Sequence, residues 1–387
     1  MVTPKRILLL NRSFWPDVEA TGQFLGELCE GIAEKYQVVA ICGNSYFEDK
    51  NLFSFDADNL GKNFESINII RVWHTRLWKG NLIGRVINWL TYCISAFIVA
   101  LRQRFDVAII CTDPPFLSLI GAALKWLKDR PFIINCRDLY PDVALALGKM
   151  KQGFFCSVFD YINKKSFCMA SCVVCLGPSM ATRLVQKGLP ERKIKVIPDW
   201  ADTQSIKPIL KKDNRFIPRI ETRNEFIIMY SGNLGLSQEF ELILEALFTV
   251  SKEEPIQIVF IGEGVGKKKL KRKINVMGFN NVSFFSYQPK EELAHSLSAA
   301  DLHLIPLKKG LKGAVVPSKL YGVMAAGRPY IAITDEESEP AIFVKEKACG
   351  LWADPDSVES IVAALKWACN NKDELIEIGK RGRALAE

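Results

Sequence analysis

The stretch that decides the fold is residues 310–329, GLKGAVVPSKLYGVMAAGRP. An apolar strand predicted over Asp301–Leu307 leads into this polar, glycine-bearing loop. A short helix is expected to begin at Pro317-Ser318 and to end at Gly327, because Ser is a preferred N-cap and Gly followed by Pro is a frequent helix stop. The free N–H groups of the first helical turn should therefore point into the loop.

Lys319 lies in that first turn, where the positive end of the helix dipole disfavours a cation unless an anion lies opposite. Its position therefore indicates a phosphate site. An exposed lysine on an ordinary helix would explain the same residues, and the residue types alone leave both interpretations open.

Length and composition indicate a two-domain globular protein. The chain has 387 residues, with 49% apolar and 24% charged, which are ordinary values for a soluble protein of two domains. The net charge of +8 favours anionic partners such as phosphates or acidic lipids without defining them. Eleven cysteines lie in predicted strands and helices with no recognisable signal peptide ahead of them, so we expect a reducing cytoplasm. Cys172 and Cys175 should point to opposite faces of one strand, and we expect no metal site.

The first half of the chain alternates short apolar runs with helix-length segments, which is typical of a doubly wound α/β domain. In such a sheet ligands bind beyond the carboxyl ends of the strands, at Asn11–Gly22, Thr112–Phe116 and Arg137–Asp142. The predicted strands are residues 6–11, 38–43, 67–73, 106–112, 132–138 and 172–177.

A second α/β domain follows a segment rich in charge and proline. We expect an N-terminal domain at 1–200, a linker at 201–224 and a C-terminal domain at 225–387. The fold class is therefore α/β, with two Rossmann-like domains facing each other across a cleft. The predicted strands of the second domain are residues 226–231, 256–261, 282–287, 301–307 and 330–334.

The segment Leu82–Leu101 is long and apolar enough to cross a membrane. It falls between two strands, where a crossover helix is required, and Arg85 and Asn88 interrupt it. We therefore favour a buried or half-buried crossover helix. An interfacial helix is the second interpretation, because Trp78, Lys79, Arg85, Trp89 and Tyr92 are residue types found at membrane surfaces.

Glycine loops follow two strands of the second domain. Residues 231–235 (SGNLG) and 262–266 (GEGVG) let the backbone approach a ligand closely, although tight turns would explain either loop. The basic run 267–273 surrounds a helix rather than forming a stripe, so we expect a solvated face and no nucleic-acid partner.

Seven motifs in this order make the chain resemble the family 4 glycosyltransferases of the GT-B fold. More narrowly, it is similar to the branch that builds colanic-acid-type and O-antigen polysaccharides, including fucosyl- and N-acetylfucosaminyl-transferases. The resemblance implies a nucleotide-sugar donor, UDP- or GDP-linked, held by the C-terminal domain, and an acceptor held by the N-terminal domain. It also implies transfer with retention, without a metal or other cofactor. The motifs are at residues 10–11, 15–17, 137–142, 196–200, 230–235, 287–289 and 316–321.

The resemblance also implies roles for individual residues. Asp138 and Lys319 are the expected catalytic residues, with Asp138 near the transferred sugar and Lys319 at the leaving diphosphate. The expected donor-binding residues are Thr21, Gly22, Gly232, Asn233, Gly235, Gly262, Glu263, Gly264, Tyr287, Gln288, Ser318, Lys319 and Glu339. The expected acceptor-binding residues are Trp15, Asp17, Arg137 and Tyr140.

Three departures from the family pattern concern charge and length. Two glutamates common in the wider family are replaced by Ala314 and Gly322, and an Arg and a Lys of the glycine loop are replaced by Asn233 and Gln238. Lys319 is thus the clearest cation in this stretch, and Glu339 is a candidate replacement carboxylate. Relatives usually continue beyond a segment like 379–387, which leaves open whether the chain is truncated there.

The resulting expectation is a retaining glycosyltransferase that uses a lipid-linked or oligosaccharide acceptor in cell-surface polysaccharide synthesis. It would be cytoplasmic and peripheral on the inner face of the membrane. Two alternatives stay open: a GT-B 2-epimerase of the UDP-N-acetylglucosamine type, and a non-catalytic sugar-nucleotide-binding partner of another transferase.

Overall fold

A computed structural model describes residues 4–17, 20–44, 67–77, 82–220, 225–235 and 237–387. The chain forms two compact units. The first consists of Met1–Pro198 together with Gly313–Val315, and the second of Asp199–Lys312 and Val316–Glu387. Trp78 and Lys79 lie outside the described residues.

The first unit is built on a seven-stranded parallel sheet. The strands are β1 (Arg6–Leu10), β2 (Gln37–Gly43), β3 (Ile67–Val72), β4 (Val107–Cys111), β5 (Phe132–Cys136), β6 (Cys172–Cys175) and β7 (Ile194–Val196). Their order in the sheet is β3-β2-β1-β4-β5-β6-β7. The central strand β1 is apolar on both faces, with Leu8, Leu9 and Leu10 fully buried, as expected for a parallel sheet covered on both sides.

Helices cover both faces of this sheet. They are α1 (Ala20–Ala33), α2 (Leu82–Arg102), α3 (Leu117–Lys128), α4 (Asp142–Ala146), α5 (Phe154–Met169) and α6 (Pro178–Gln186). From β1 the chain moves one way to β2 and β3, and from β4 the other way to β5 and β6. Because parallel crossovers are right-handed, α1 lies on one face and α2, α3 and α5 lie on the other.

The second unit has the same design with six parallel strands. These are β8 (Phe226–Ser231), β9 (Ile256–Ile261), β10 (Val282–Phe285), β11 (Leu302–Pro306), β12 (Tyr330–Ile333) and β13 (Leu351–Ala353), in the order β10-β9-β8-β11-β12-β13. The helices are α7 (Glu241–Ser251), α8 (Lys267–Met277), α9 (Leu293–Ser298), α10 (Lys319–Ala325), α11 (Glu339–Lys347), α12 (Val358–Asn370) and α13 (Lys372–Ala386).

The predicted strands and the crossover helix are confirmed, with ends that differ by one or two residues. The helix after the loop begins at Lys319, later than expected, and ends at Ala325. Residues 201–220, which we expected to form a linker, pack within the second unit, where Phe216 and Ile220 are buried beside Ile227. Residues 221–224 lie outside the described part of the chain.

Candidate donor site in the second unit

The second sheet has one point where the direction of strand order reverses, between β8 and β11. From β8 the chain steps outward to β9 and β10, and from β11 it steps the other way to β12 and β13. The loops that leave the carboxyl ends of β8 and β11 diverge there, which leaves a crevice suited to a ligand. Gly232 follows β8, and Lys319 begins the helix that follows β11.

Lys319 is held at this point by Tyr230, the penultimate residue of β8. The Nζ atom of Lys319 donates a hydrogen bond of 2.7 Å to the hydroxyl of Tyr230 and lies 4.2 Å from the centre of its ring. The hydroxyl in turn donates to the carbonyl of Asn233 at 2.6 Å. Tyr230 is fully buried, so it fixes the amine of Lys319 against the glycine loop.

The surroundings of Lys319 make its charge unstable without an anion. Burial lowers the pKa of Lys319 from 10.5 to about 7, because the protein replaces the water that would solvate the ammonium group. A diphosphate beside the amine would favour the charged form and raise the pKa again. The amine therefore fits a ligand with negative charge.

The backbones of the two glycine loops pack directly against each other. A Cβ atom on Gly262 would lie 2.0 Å from the carbonyl oxygen of Gly232, and one on Gly264 would lie 2.3 Å from that of Leu234. Both glycines also have positive φ angles, 134° and 154°. These glycines therefore make room for the first loop, which is a structural role that the sequence left unassigned. Gly232 makes room for Lys319 instead, since its Cβ would lie 2.9 Å from Cε of that lysine.

Side chains at the edges of the loops hold them in place. The N–H of Gly235 donates to Oε1 of Gln238 at 3.1 Å. The exposed Glu263 forms a 2.6 Å ion pair with Lys267, and its carbonyl accepts a bond from the N–H of Leu234 at 2.8 Å. Asn233 is exposed.

The expectation that Ser318 caps the helix is wrong. Ser318 already has helical angles, φ −60° and ψ −26°, and its side chain makes no capping hydrogen bond. Helix α10 has seven residues, so its end is a weaker anion site than a long capped helix would be. An anion bound here would therefore be stabilised mainly by the ammonium group of Lys319 rather than by the helix dipole.

An open pocket lies beside the carboxyl end of β10. Its volume is about 650 Å³, and Tyr287 and Gln288 are among its lining residues. The guanidinium of Arg219, another lining residue, lies 5.7 Å from the ring of Phe285 in the same lining and donates to Oε1 of Gln288 at 3.0 Å. The pocket thus combines aromatic walls with oriented polar groups, as small-molecule sites do.

Glu339 is the first residue of α11 and is only 1% exposed. It is therefore a buried carboxylate at a helix start, where the helix dipole stabilises negative charge. The sequence offered Glu339 as a candidate replacement carboxylate, and that role stays a prediction.

Candidate acceptor residues in the first unit

Asp138 and Arg137 follow β5 and are positioned by Thr112, which directly follows the neighbouring strand β4. The hydroxyl of Thr112 accepts hydrogen bonds from the backbone N–H groups of Arg137 at 3.0 Å and of Asp138 at 3.1 Å. Arg137 is 8% exposed, and its guanidinium lies 5.1 Å from the ring of Phe24. Within the same unit, Asp138 pairs with Val315 in an antiparallel bridge.

The other expected residues of this unit lie along the loop after β1 and on neighbouring elements. Asp17 is buried, and its carboxylate accepts from the N–H of Phe14 at 3.1 Å, which shapes the turn. Thr21 and Gly22 lie in the first turn of α1. Trp15 is half-buried, and Tyr140 packs edge-on against Trp89 with 6.2 Å between ring centres.

Sequence reasoning gave no individual role to three residues, Tyr230, Thr112 and Arg219. Tyr230 was quoted only as part of a motif, and an aromatic residue in a strand is usually core. Thr112 acts through its hydroxyl on the loop that follows another strand, and Arg219 lies in a segment expected to be a linker. The only available signal was their position at strand ends or beside a quoted motif.

Each half of the chain matches the profile of a glycosyltransferase domain. Residues 20–200 match the profile "Glycosyl transferase 4-like domain", and residues 211–385 match "Glycosyl transferases group 1". The chain is 24% identical over 385 residues to WcaI of Escherichia coli (strain K12), which is named as a colanic acid biosynthesis glycosyl transferase; the match covers 94% of this chain and 92% of WcaI. It is 24% identical over 298 residues to WbjE of Pseudomonas aeruginosa, which is named as a glycosyltransferase, with 75% and 73% covered.

Solved structures show the same fold. HepE of Anabaena, in complex with UDP and glucose, has a TM-score of 0.74 at 14% identity, with 99% of this chain and 94% of HepE covered. WaaG, a glycosyltransferase involved in lipopolysaccharide biosynthesis, has a TM-score of 0.70 at 15% identity, with 98% and 95% covered. With the matches to both domain profiles, these likenesses establish the GT-B fold: residues 20–200 belong to the glycosyl transferase 4-like domains, and residues 211–385 belong to the group 1 glycosyltransferases.

Proposed function

We propose that this protein is a retaining, metal-independent glycosyltransferase of the cytoplasm. It moves a sugar from a UDP- or GDP-sugar to a lipid-linked saccharide acceptor in the synthesis of a cell-surface polysaccharide. The observation that carries this proposal is the amine of Lys319, held by Tyr230 at the switch point of the second sheet. The names of WcaI and WaaG support the polysaccharide context.

The proposed reaction needs few protein groups. An acceptor hydroxyl attacks the anomeric carbon on the face from which the diphosphate departs, and its proton passes to a diphosphate oxygen. Negative charge builds up on the leaving group, and the ammonium of Lys319 stabilises it. Positioned groups of this kind each contribute about 3 kcal/mol to transition-state stabilisation. Asp138 is proposed to contact the transferred sugar.

The remaining expected residues divide between the two substrates. Loops 232–235 and 262–264, together with Ser318 and Glu339, are proposed to surround the donor phosphates and sugar. The pocket beside Tyr287 and Gln288 is proposed to hold the nucleoside, since its volume of about 650 Å³ suits a ligand of that size. Trp15, Asp17, Arg137 and Tyr140 are proposed for the acceptor, and Thr21-Gly22 for the phosphates.

A thermal-shift screen of UDP-, GDP-, CDP- and ADP-sugars tests the donor. UDP-N-acetylfucosamine and GDP-fucose should be tested first, since the sequence resembles the branch that uses fucose-type sugars. A ligand at about 100 times its Kd stabilises the protein by about 2.7 kcal/mol, which is a measurable shift. No shift with any nucleotide sugar would contradict the proposal.

Slow hydrolysis of the bound donor separates an enzyme from a non-catalytic binder. Without acceptor, we expect the stabilising donor to release its nucleoside diphosphate, and Lys319→Ala to slow this release. Binding without hydrolysis or transfer would favour the non-catalytic partner. The epimerase finds no support in His303, which is buried, bonded to the carbonyl of Leu297, and has its pKa lowered to about 4 by burial.

A further inference from the structure

Helix α2 exposes an apolar stripe along its whole length. Ile83, Ile87, Leu90, Ile94 and Ile98 recur at helical spacing, and each is between 37% and 67% exposed. The opposite stripe, formed by Asn88, Tyr92, Ala96 and Ala100, is buried, and the hydroxyl of Tyr92 donates to the carbonyl of Ile41 in β2 at 3.0 Å. Helix α2 is long and apolar enough to cross a membrane, but one side of it is already bound to the sheet. Its outer stripe is therefore available only to something that lies flat against it.

Two further helices extend this surface. Helices α3 and α5 lie on the same face of the sheet as α2, and Trp89, Phe116 and Phe159 join the three through ring contacts at 6.4 and 5.0 Å. Trp126 on α3 is 81% exposed, and Phe154 and Phe155 on α5 are 77% and 83% exposed. We call the outer surface of α2, α3 and α5 the three-helix face. Apolar exposure of this extent normally marks an interaction site.

The charge of the three-helix face is strongly one-sided. Its helices carry six basic residues, Arg85, Arg102, Lys125, Lys128, Lys164 and Lys165, and a single acidic residue, Asp160. Asp160 forms a 2.5 Å ion pair with Lys187, so it offsets little of that positive charge. Two copies of this chain would repel each other through such faces, and lysine is depleted from protein interfaces. Apolar and aromatic side chains bordered by lysine and arginine instead match an anionic lipid surface.

The orientation of the face suits an acceptor that is anchored in lipid. In this parallel unit the helices run opposite to the strands, so the first turns of α2 and α5 lie toward the carboxyl edge of the sheet. Ile83, Phe154 and Phe155 are in those first turns. The loops that carry the candidate acceptor residues leave the same edge.

We propose that the three-helix face docks on an anionic lipid bilayer, with the axes of its helices in the plane of the membrane and its apolar side chains among the headgroups. The inference deepens the proposed function, on which it rests for the lipid-linked acceptor. Docking itself requires only the surface, so vesicle binding and catalysis can fail separately.

The test is co-flotation of the full chain with vesicles of phosphatidylcholine alone and of phosphatidylcholine mixed with phosphatidylglycerol. We expect binding to the mixed vesicles, weakened by salt, with protein that is released at high salt rather than integrated. Phe154→Ser with Phe155→Ser should lower the partition coefficient at least about tenfold, since burial of each ring is worth more than one tenfold step. Lys164→Glu with Lys165→Glu should weaken binding to the mixed vesicles only.

The matched control is Val276→Ser, because Val276 is an equally exposed aliphatic residue (81%) on α8 of the second unit. It should leave vesicle binding unchanged. Donor hydrolysis in vesicle-free buffer should be equal in the wild type and the Phe154/Phe155 variant, which separates loss of docking from loss of folding or function. Absence of wild-type binding, or equal binding by that variant, would overturn the proposal. So would a dimer that depends on Phe154 and Phe155 while vesicles stay unbound, since it would make a second copy the occupant.

Discussion

Lys319 carries the clearest pH signature of the proposed mechanism. Its pKa of about 7 in the free protein means that the amine is charged below that pH and loses its proton above it. We therefore expect kcat/KM for the donor to fall as the pH rises through about 7. The fall in kcat should come at higher pH, because a bound diphosphate raises the pKa. Steady-state rates measured across this range, with donor varied, give both profiles.

The control for this prediction is Lys319→Arg, which keeps its charge at every accessible pH. Its activity will be lower because the guanidinium is larger, but the fall of kcat/KM near pH 7 should disappear. The same fall in the arginine variant would assign the titration to another group.

Gly262 is expected to tolerate no side chain. In Gly262→Ala the new Cβ would meet the backbone carbonyl of Gly232 at 2.0 Å, and a φ of 134° is strained for any residue but glycine. We expect destabilisation by about 2 kcal/mol or more and loss of the thermal shift produced by the donor. Denaturant titration and the ligand screen measure the two effects.

Gly31→Ala is the matched control for Gly262→Ala. Gly31 lies within α1, and apart from its chain neighbours and the backbone of its own helix no atom lies within 4 Å of the position that a Cβ would take there. Alanine at this position should raise the free energy of unfolding by about 0.5 to 1 kcal/mol through helix propensity. If both variants had the same stability, the close packing of the two loops would not be the reason that glycine is required at position 262.

Single residues were predictable where their chemistry conflicts with an ordinary helix or strand. Lys319 was recognised because a cation at the start of a helix is out of place. Tyr230 was not, because nothing separates a tyrosine that anchors a lysine from one that fills a core until the hydroxyl is located 2.7 Å from Nζ. The capping role given to Ser318 failed because propensity identifies the neighbourhood of a helix start rather than its first residue.

At the scale of elements, α2 packs on the sheet through apolar residues and is tied by a polar residue to the segment that follows β3. The side-chain oxygen of Asn88 accepts from the hydroxyl of Thr75 at 2.8 Å and the N–H of Leu77 at 2.9 Å, and its amide donates to the carbonyl of Leu77 at 2.9 Å. Asn88 is 3% exposed. Asn88, which made a membrane span less favoured in the sequence, thus connects the segment after β3 to α2.

We expect Asn88→Leu to lower the free energy of unfolding by about 1 to 3 kcal/mol, because it removes the three hydrogen bonds that this buried side chain makes with Thr75 and Leu77. The converse change, Leu90→Asn on the exposed side of α2, should alter stability by no more than about 0.5 kcal/mol. Urea titrations of both variants make the comparison. A stable Asn88→Leu protein would show that this network contributes little.

Elements were predictable where burial is complete. Strands such as β1 and β8 are unbroken apolar runs, which is the pattern of a parallel sheet covered on both faces. The edge strands β7 and β13 were missed because each has three residues and most of their positions are half-buried or exposed. A strand that short has no period to recognise.

At the scale of the whole chain, two doubly wound sheets explain why the motifs fall where they do. The strand order of each sheet changes direction once, between β1 and β4 and between β8 and β11. The loops that follow these strands are among those that the sequence singled out. Alternation of strand and helix therefore predicted the fold class, and the strand-end rule predicted which loops are candidates for the sites. The geometry within the sites depends on backbone contacts between loops far apart in sequence, such as Gly232 with Gly262, and no local pattern encodes them.

The most direct test of the account is the rate of sugar transfer by Lys319→Ala, measured with the donor identified by the screen and compared with Lys268→Ala, an exposed lysine on α8. We predict that Lys319→Ala lowers turnover by about a hundredfold or more, with an unchanged circular dichroism spectrum, because one positioned cation contributes about 3 kcal/mol to the transition state. Lys268→Ala should match the wild type. Turnover by Lys319→Ala close to that of the wild type would contradict the account, since it would remove this lysine from the departure of the diphosphate.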